Sequence, residues 1–344
     1  MKILFANRLF ADGFTASSTT ADGLGGIEIA TQHIAKELVQ LGHEVTVSVN
    51  IPDQLTEADV TWSPAKNLQQ ILQAGHGFDA IISSNDSLPF VWAGRDTQKN
   101  LLWQHNPMPL VKAWRKKQLL PILKTRPHLV CVGSYLEDSF SPLYPFSSRA
   151  VIGLAVSELF KKDPQGDIPR RAIWLSQSQR GLKETLTLWM EKIAPQVPGA
   201  EMLVFSCQHR EQEYEAENLK KVGIRFMPRI SQRELATYLN HSRIMIYPGA
   251  RDETFCLAAA EALCSGVPVV TRGIGSLSER ITHGVDGLII KSPEETASAS
   301  VKILTDDAYW QALRKGALAS RETLSWRKVA ENWVAHIQAS SKQN

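Results

Sequence analysis

Short apolar runs recur along the first half of the chain, at Lys2–Ala6, Glu44–Val49, Asp79–Ser83, Leu101–Gln104, Leu129–Val132 and Arg149–Ile152. Helical or mixed segments separate them, which is the pattern of buried strands covered by helices in a largely parallel sheet. The clearest helix is predicted from Gly26 to Leu41, where Ile27, Ala30, Ile34, Leu38 and Leu41 recur every three or four positions before Gly42. A second series of strands is expected at Ala172–Leu175, Met202–Ser206, Gly223–Phe226, Ile244–Tyr247, Val267–Val270 and Gly287–Ile290, with helices such as Leu182–Ile193 and Gln232–Asn240 between them. Between the two series lies a polar stretch without periodicity, Lys161 to Asp167 at its centre, which reads as a linker. A last amphipathic helix, Ser325–Gln338, carries Trp326, Val329, Trp333, Val334 and Ile337 on one face, and the four residues after Ser340 are expected to fray.

The fold class is therefore α/β, with two parallel-sheet domains. The expected division is 1–153, a linker at 154–170, a second domain at 171–322 and a terminal helix at 323–344. Two such halves facing each other place a ligand cleft at the carboxyl ends of the strands, where helix amino termini reach a phosphate.

Length and charge narrow the function. The chain has 344 residues, 43% of them hydrophobic, and Lys+Arg 38 against Asp+Glu 35, so no global field would draw in nucleic acid. The four cysteines, Cys131, Cys207, Cys256 and Cys264, form no metal-ligand spacing and read as reduced thiols. The apolar start Ile3-Leu4-Phe5-Ala6 is shorter than a signal peptide requires, and no run approaches the roughly 20 apolar residues that cross a bilayer. A cytoplasmic protein is expected, with a peripheral position on the inner face of the cytoplasmic membrane left open.

The stretch from Tyr247 to Val270 holds the strongest chemistry. Glu253 stands just before a predicted helix and Glu261 inside it, eight positions on. At ~1.5 Å rise per residue the two carboxylates lie ~10 Å apart along the chain's path, so one polyhydroxylated ligand could meet both. Backbone amides at Thr254, Phe255, Cys256 and Leu257 would supply partial positive charge for a diphosphate between them. Two glutamates at this spacing also suit a helix cap followed by a solvated side chain.

The flanking residues add weight to the first reading. The stretch resembles the E-x7-E motif of the retaining glycosyltransferases of the GT-B fold, in glycosyltransferase family 4. Ser265-Gly266-Val267-Pro268-Val269-Val270 is similar to the family's small-Gly-x-Pro-Val-Val strand, and Gly275-Ser276-Leu277-Ser278-Glu279 to its Gly-Gly-x-x-Glu turn, with Ser276 at the second glycine. Gly25-Gly26 before the first helix and Ser325-Trp326 at the last one fit the pattern too, so the resemblance extends over nearly the whole chain.

The resemblance implies a GT-B fold of two Rossmann-like domains, with the terminal helix returning to the first. It implies a retaining sugar transfer from a UDP-, GDP- or ADP-linked donor to a glycan, lipid-linked or lipopolysaccharide-type acceptor, without cofactor or metal. Glu253 would contact the donor sugar and Glu261 the ribose. Arg180 matches the family's diphosphate-binding Lys, while the usual Arg position holds Ser176 or Gln177, with Lys183 or Arg251 as substitutes. His105 resembles a histidine that touches the sugar. Gly25 and Gly26 would allow close approach of the donor, Arg229 would face the base, and Asn85 and Asp86 are candidates for acceptor hydroxyls.

The segment 110–126 carries Lys112, Arg115, Lys116, Lys117, Lys124 and Arg126 with Trp114 and no acid, which suits an anionic lipid surface, an acidic glycan or simple solvation. Two other readings stay open: a nucleotide-sugar epimerase on the same scaffold, and a non-catalytic protein that binds a nucleotide sugar or glycan.

Overall fold

The computed structural model describes residues 1–9, 13–18, 24–75, 77–94, 100–164 and 166–340. The four terminal residues expected to fray lie outside the described residues. The chain divides into two compact units, Met1–Leu154 with Trp326–Asn344, and Ala155–Ser325. Each is described by itself.

Unit 1 is built on β1 (Lys2–Ala6), β2 (Glu44–Val49), β3 (Leu55–Glu57), β4 (Val60–Pro64), β5 (Ala80–Ser84), β6 (Asn100–Gln104), β7 (His128–Cys131) and β8 (Arg149–Val151). They form one sheet in the order β3-β4-β2-β1-β5-β6-β7-β8. All pairs are parallel except β3 with β4. That hairpin is absent from the sequence reading. Its turn is Ala58-Asp59, both left-handed at φ 52° and 58°, so none of the glycine or asparagine punctuation that marks such turns is present. The central strands are buried along their length, as expected of strands covered on both faces.

The first helix, Gly26–Gln40, buries Ala30, Thr31, Ile34, Ala35 and Leu38. The terminal helix Trp326–Ser340 packs on it: the rings of His33 and Trp326 stack with centroids 5.1 Å apart. Further along, Trp333 is fully buried and meets Trp103 of β6 edge-on at 5.6 Å. The terminal helix is thus part of unit 1's core.

Unit 2 is built on β9 (Arg171–Trp174), β10 (Glu201–Phe205), β11 (Ile224–Met227), β12 (Ile244–Ile246), β13 (Val269–Thr271) and β14 (Gly287–Ile289). The sheet is parallel throughout, in the order β11-β10-β9-β12-β13-β14. Two expectations need correction. The predicted helix Leu182–Ile193 is α-helical only to Leu188 and continues as a π-turn over Trp189–Ile193. There the fully buried Trp189 donates its indole N–H to the Val222 carbonyl at 2.9 Å, so a tertiary contact overrides the local period.

The stretch 154–170 does not form a linker. Residues 155–170 belong to unit 2, where Phe160 is completely buried, its carbonyl accepts from the Ser265 hydroxyl at 3.3 Å, and Asp163 pairs with Arg321 at 2.8 Å. The buried apolar residues there, Ala155, Val156 and Phe160, recur with no regular period.

Trp333→Ala removes the indole between the terminal helix and β6, and should destabilise unit 1 by about 3–5 kcal/mol. Denaturant unfolding checks this; a change below about 1 kcal/mol would show that the helix is not part of the core.

Candidate active site

Tyr247 directly follows β12, and its ring is fixed edge-on against Trp174 at 5.4 Å. The chain then loops through Asp252 and Glu253 and enters the helix Leu257–Cys264, whose Ala259, Ala260, Ala262, Leu263 and Cys264 are buried. Glu253 is held on one oxygen. Tyr247 donates its hydroxyl to Oε2 at 2.7 Å and Arg180 donates Nη1 to the same atom at 2.8 Å. Nothing among the described residues donates to Oε1, which leaves that oxygen for a ligand hydroxyl.

Burial works against the Arg180 charge, but Glu253 and Asp252 more than offset it and hold its pKa above the ordinary value. Arg180 Nη2 reaches Asp252 at 2.9 Å. Burial, and then the neighbouring Glu253, push the Tyr247 phenol up, so it stays a donor. Asp252 and Tyr247 were missing from the sequence-based site. Their position beside Glu253 could have flagged them, but a Tyr at a strand end is ordinarily core.

The loop is braced from the Gly275 turn. Ser276 N–H donates to the Glu253 carbonyl at 3.0 Å. Gly275 has φ +70°, and a Cβ there would lie 2.2 Å from the Ala250 carbonyl oxygen and 2.8 Å from that of Glu253, so only glycine fits. Ser276 adopts a right-handed φ of −67°, which explains how a non-glycine residue is tolerated at the second position. Arg280 lies over the Phe255 ring at 3.9 Å and donates to the Phe255 carbonyl at 3.4 Å, fixing the chain just before the helix. Thr254 and Phe255 are buried, and Cys256 caps the helix in a left-handed conformation with φ 61°. Its thiol is raised by burial and then by Glu253, so it is inert as a nucleophile.

Glu261 sits on this apolar helix with no hydrogen bond or ion pair among the described residues. Burial raises its carboxyl from an ordinary 4.5 to about 8. A group in this state lacks the partner that would satisfy it.

Gln177 and Arg229 share a cavity of about 550 Å³ with Ser206 and His209, at the carboxyl ends of β9, β10 and β11. Ser206 and His209 were not anticipated. The Ser176 carbonyl accepts from the Trp174 indole N–H at 2.7 Å. Lys183 is not brought to Arg180: it lines a separate cavity.

In unit 1, His105 follows β6 and is buried against the Trp103 ring, with centroids 4.2 Å apart. Burial lowers its pKa to about 3, so the ring is neutral at ordinary pH. The two expected acceptor residues are engaged internally. Asn85, left-handed at φ 56°, accepts the His105 N–H at 2.9 Å and so positions it. Asp86 is fully buried, ion-paired to Arg8 at 2.6 Å, and accepts from Gln118 at 3.0 Å, which excludes it as a surface contact. At the start of the first helix, the Glu28 carboxylate lies 2.8 Å from where a Cβ on Gly25 would stand. Gly26 opens the helix itself.

Comparison with known proteins agrees with this architecture. Residues 173–306 match the family model described as Glycosyl transferases group 1. A D-inositol 3-phosphate glycosyltransferase of Nocardioides sp. is 34% identical over 109 residues, 31% of this chain and 24% of that protein. Its counterpart in Kribbella flavida is 26% identical over 136 residues, 38% of this chain and 32% of that protein. The matched stretch thus spans only 24% and 32% of these relatives' lengths.

Among solved structures, sucrose-phosphate synthase from Thermosynechococcus elongatus superposes with a TM-score of 0.73 at 16% identity, covering 98% of both chains. The Anabaena protein HepE, in complex with UDP and glucose, gives 0.70 at 14% identity, covering 98% of this chain and 100% of the other. WaaG, a glycosyltransferase involved in lipopolysaccharide biosynthesis, gives 0.66 at 14%, covering 98% and 99%. The chain has the GT-B glycosyltransferase fold, two Rossmann-like α/β domains, and it resembles glycosyltransferase family 4.

The Glu261 shift has a sign that can be checked. Between about pH 4.5 and 8 the folded protein holds a proton that the unfolded chain gives up, so its contribution to stability falls as pH rises through that window. Glu261→Gln removes the loss: it should match the wild-type melting temperature at about pH 4 and exceed it at about pH 9. A variant that melts below wild type at about pH 9 would contradict the assignment.

Proposed function

We propose that the protein is a retaining glycosyltransferase that moves a sugar from a nucleoside-diphosphate sugar to a hydroxyl of a glycan, lipid-linked or lipopolysaccharide-type acceptor. The observation that carries the reading is Glu261, a half-buried and unpartnered carboxyl on the helix that follows Glu253. A ribose presents two adjacent hydroxyls, which are the donors such a group lacks. Glu253, oriented through Oε2, would take a sugar hydroxyl on Oε1. The cavity of Gln177, Ser206, His209 and Arg229 would hold the base.

In this reading the bond from the anomeric carbon to the diphosphate breaks early, and negative charge gathers on the phosphate oxygens. Stabilising that charge is the main catalytic task. Arg180 is the cation for it. Its guanidinium can grip two oxygens at once, and a phosphate competing for it would draw it away from the exposed Asp252. Amides around Thr254 and Leu257 add to the field. No Asp-x-Asp motif stands in the sequence, so we assign this work to Arg180 without a metal. From unit 1 we assign His105 to the sugar, as a neutral hydrogen-bonding ring. Retention follows from attack on the face the diphosphate leaves, guided by that phosphate.

We also infer that unit 1 rests on an anionic surface of the cytoplasmic membrane. No helix among the described residues is long and apolar enough to cross a membrane. In the helical pair Leu110–Arg115 and Leu119–Thr125, however, Val111, Trp114, Leu120 and Leu123 are 80%, 65%, 63% and 49% exposed. They stand among Lys112, Arg115, Lys116, Lys117 and Lys124, and each cation is worth about 1 kcal/mol at an anionic surface.

The donor assignment is tested by thermal shift against UDP-, GDP- and ADP-linked sugars in EDTA. The melting temperature should rise with one nucleotide class, by mass action. Arg180→Ala should weaken the nucleoside diphosphate about tenfold more than the nucleoside. No rise with any donor, or equal losses for both ligands, would overturn it. For the surface, the protein should sediment with phosphatidylglycerol vesicles and not with phosphatidylcholine ones, and Trp114→Ala with Leu120→Ala should weaken this about tenfold. Equal binding to both lipids, or none, would refute the contact.

A further inference from the structure

Unit 2 holds a second cavity, of about 660 Å³, within the size range of small-molecule sites. Arg180, Tyr247, Glu253 and Glu261 do not line it. It opens between the helix Leu182–Leu188 and the helix Pro293–Thr305. Its apolar wall is formed by Leu188, Ile246, Pro248 and Val270.

The lining carries five basic side chains, Lys183, Lys192, Lys291, Arg210 and Arg272, against three acidic ones, Glu184, Glu191 and Glu294, a surplus of two positive charges. Lys183, Lys192 and Lys291 border the cavity, and none has an ion pair among the described residues. The two arginines there are already engaged, Arg210 with Glu213 at 2.7 Å and Arg272 with Glu184 at 3.8 Å. A net positive surplus, with three lysines outside any ion pair among the described residues, around an apolar wall is complementary to a molecule with an apolar body and a negative group.

We propose that this cavity is a second binding site, for a small organic anion with an aromatic or short aliphatic body. The site lies next to Arg180 in the chain, through Gln179 and Gly181. Gly181, left-handed at φ +102°, follows Arg180, and Pro248 follows Tyr247; a Cβ on Gly181 would stand 3.1 Å from the Pro248 side chain. Gly181 and Pro248 both line the cavity, so it adjoins the turn that carries Arg180.

The probe is 1-anilinonaphthalene-8-sulfonate, an apolar ring system with one anionic group, titrated into the full-length chain by fluorescence. Saturable binding at one site per chain is expected, not displaced by UDP, GDP or ADP. Lys192→Glu combined with Lys291→Glu should weaken it about tenfold, because both rim charges are reversed. Thr187→Trp, at an exposed cavity position, should weaken it to a similar extent by filling space, with the melting temperature unchanged. Absence of saturable binding, displacement by a nucleoside diphosphate, or wild-type affinity in both variants would overturn the proposal. A failed donor screen with intact probe binding would count against the transferase reading alone.

Discussion

A carboxyl held half-buried without a partner works against the fold, and the helix Leu257–Cys264 retains one at Glu261. The surrounding structure is arranged so that the helix can tolerate it. Small alanines seat the helix closely on the sheet, and Arg280 clamps Phe255 just before it. The Gly275 turn fixes the loop that carries Glu253. Two carboxylates are thereby held ready in opposite ways, one tethered on a single oxygen and the other left without partners. Both arrangements leave acceptor atoms for a ligand that brings hydroxyls.

Unit 1 uses its polar residues differently. Arg8, Asp86 and Gln118 satisfy one another inside, and Asn85 holds the backbone of His105. These groups position other groups within the unit. The neutral His105 ring is the outcome of that packing: burial against Trp103 keeps the proton off without any nearby charge.

Much of this was legible in the chain. The order of strands and helices followed from apolar periodicity, because buried parallel strands and amphipathic helices write strong patterns. Glu253 and Glu261 stood out because their spacing and flanking residues resemble the family 4 motif, and Arg180 through that resemblance alone. The hairpin at Ala58-Asp59 was missed because its left-handed turn uses no glycine. Residues 155–170 looked like a linker because their buried apolar residues, Ala155, Val156 and Phe160, recur with no regular period. Asp86 looked like a cleft residue because its partner Arg8 is remote in sequence, and only the fold brings the two together.

The most direct test of the account is the proton balance of donor binding. The bound nucleoside-diphosphate sugar would be titrated calorimetrically at about pH 7.5 in buffers of different ionisation enthalpy. With its carboxyl at about 8, Glu261 is largely protonated in the free protein, and ribose hydroxyls donating to it favour the ionised form. Binding should therefore release protons in the wild type and none in Glu261→Gln. Binding with no proton release, or with equal release in the variant, would contradict the assignment of Glu261 to the ribose.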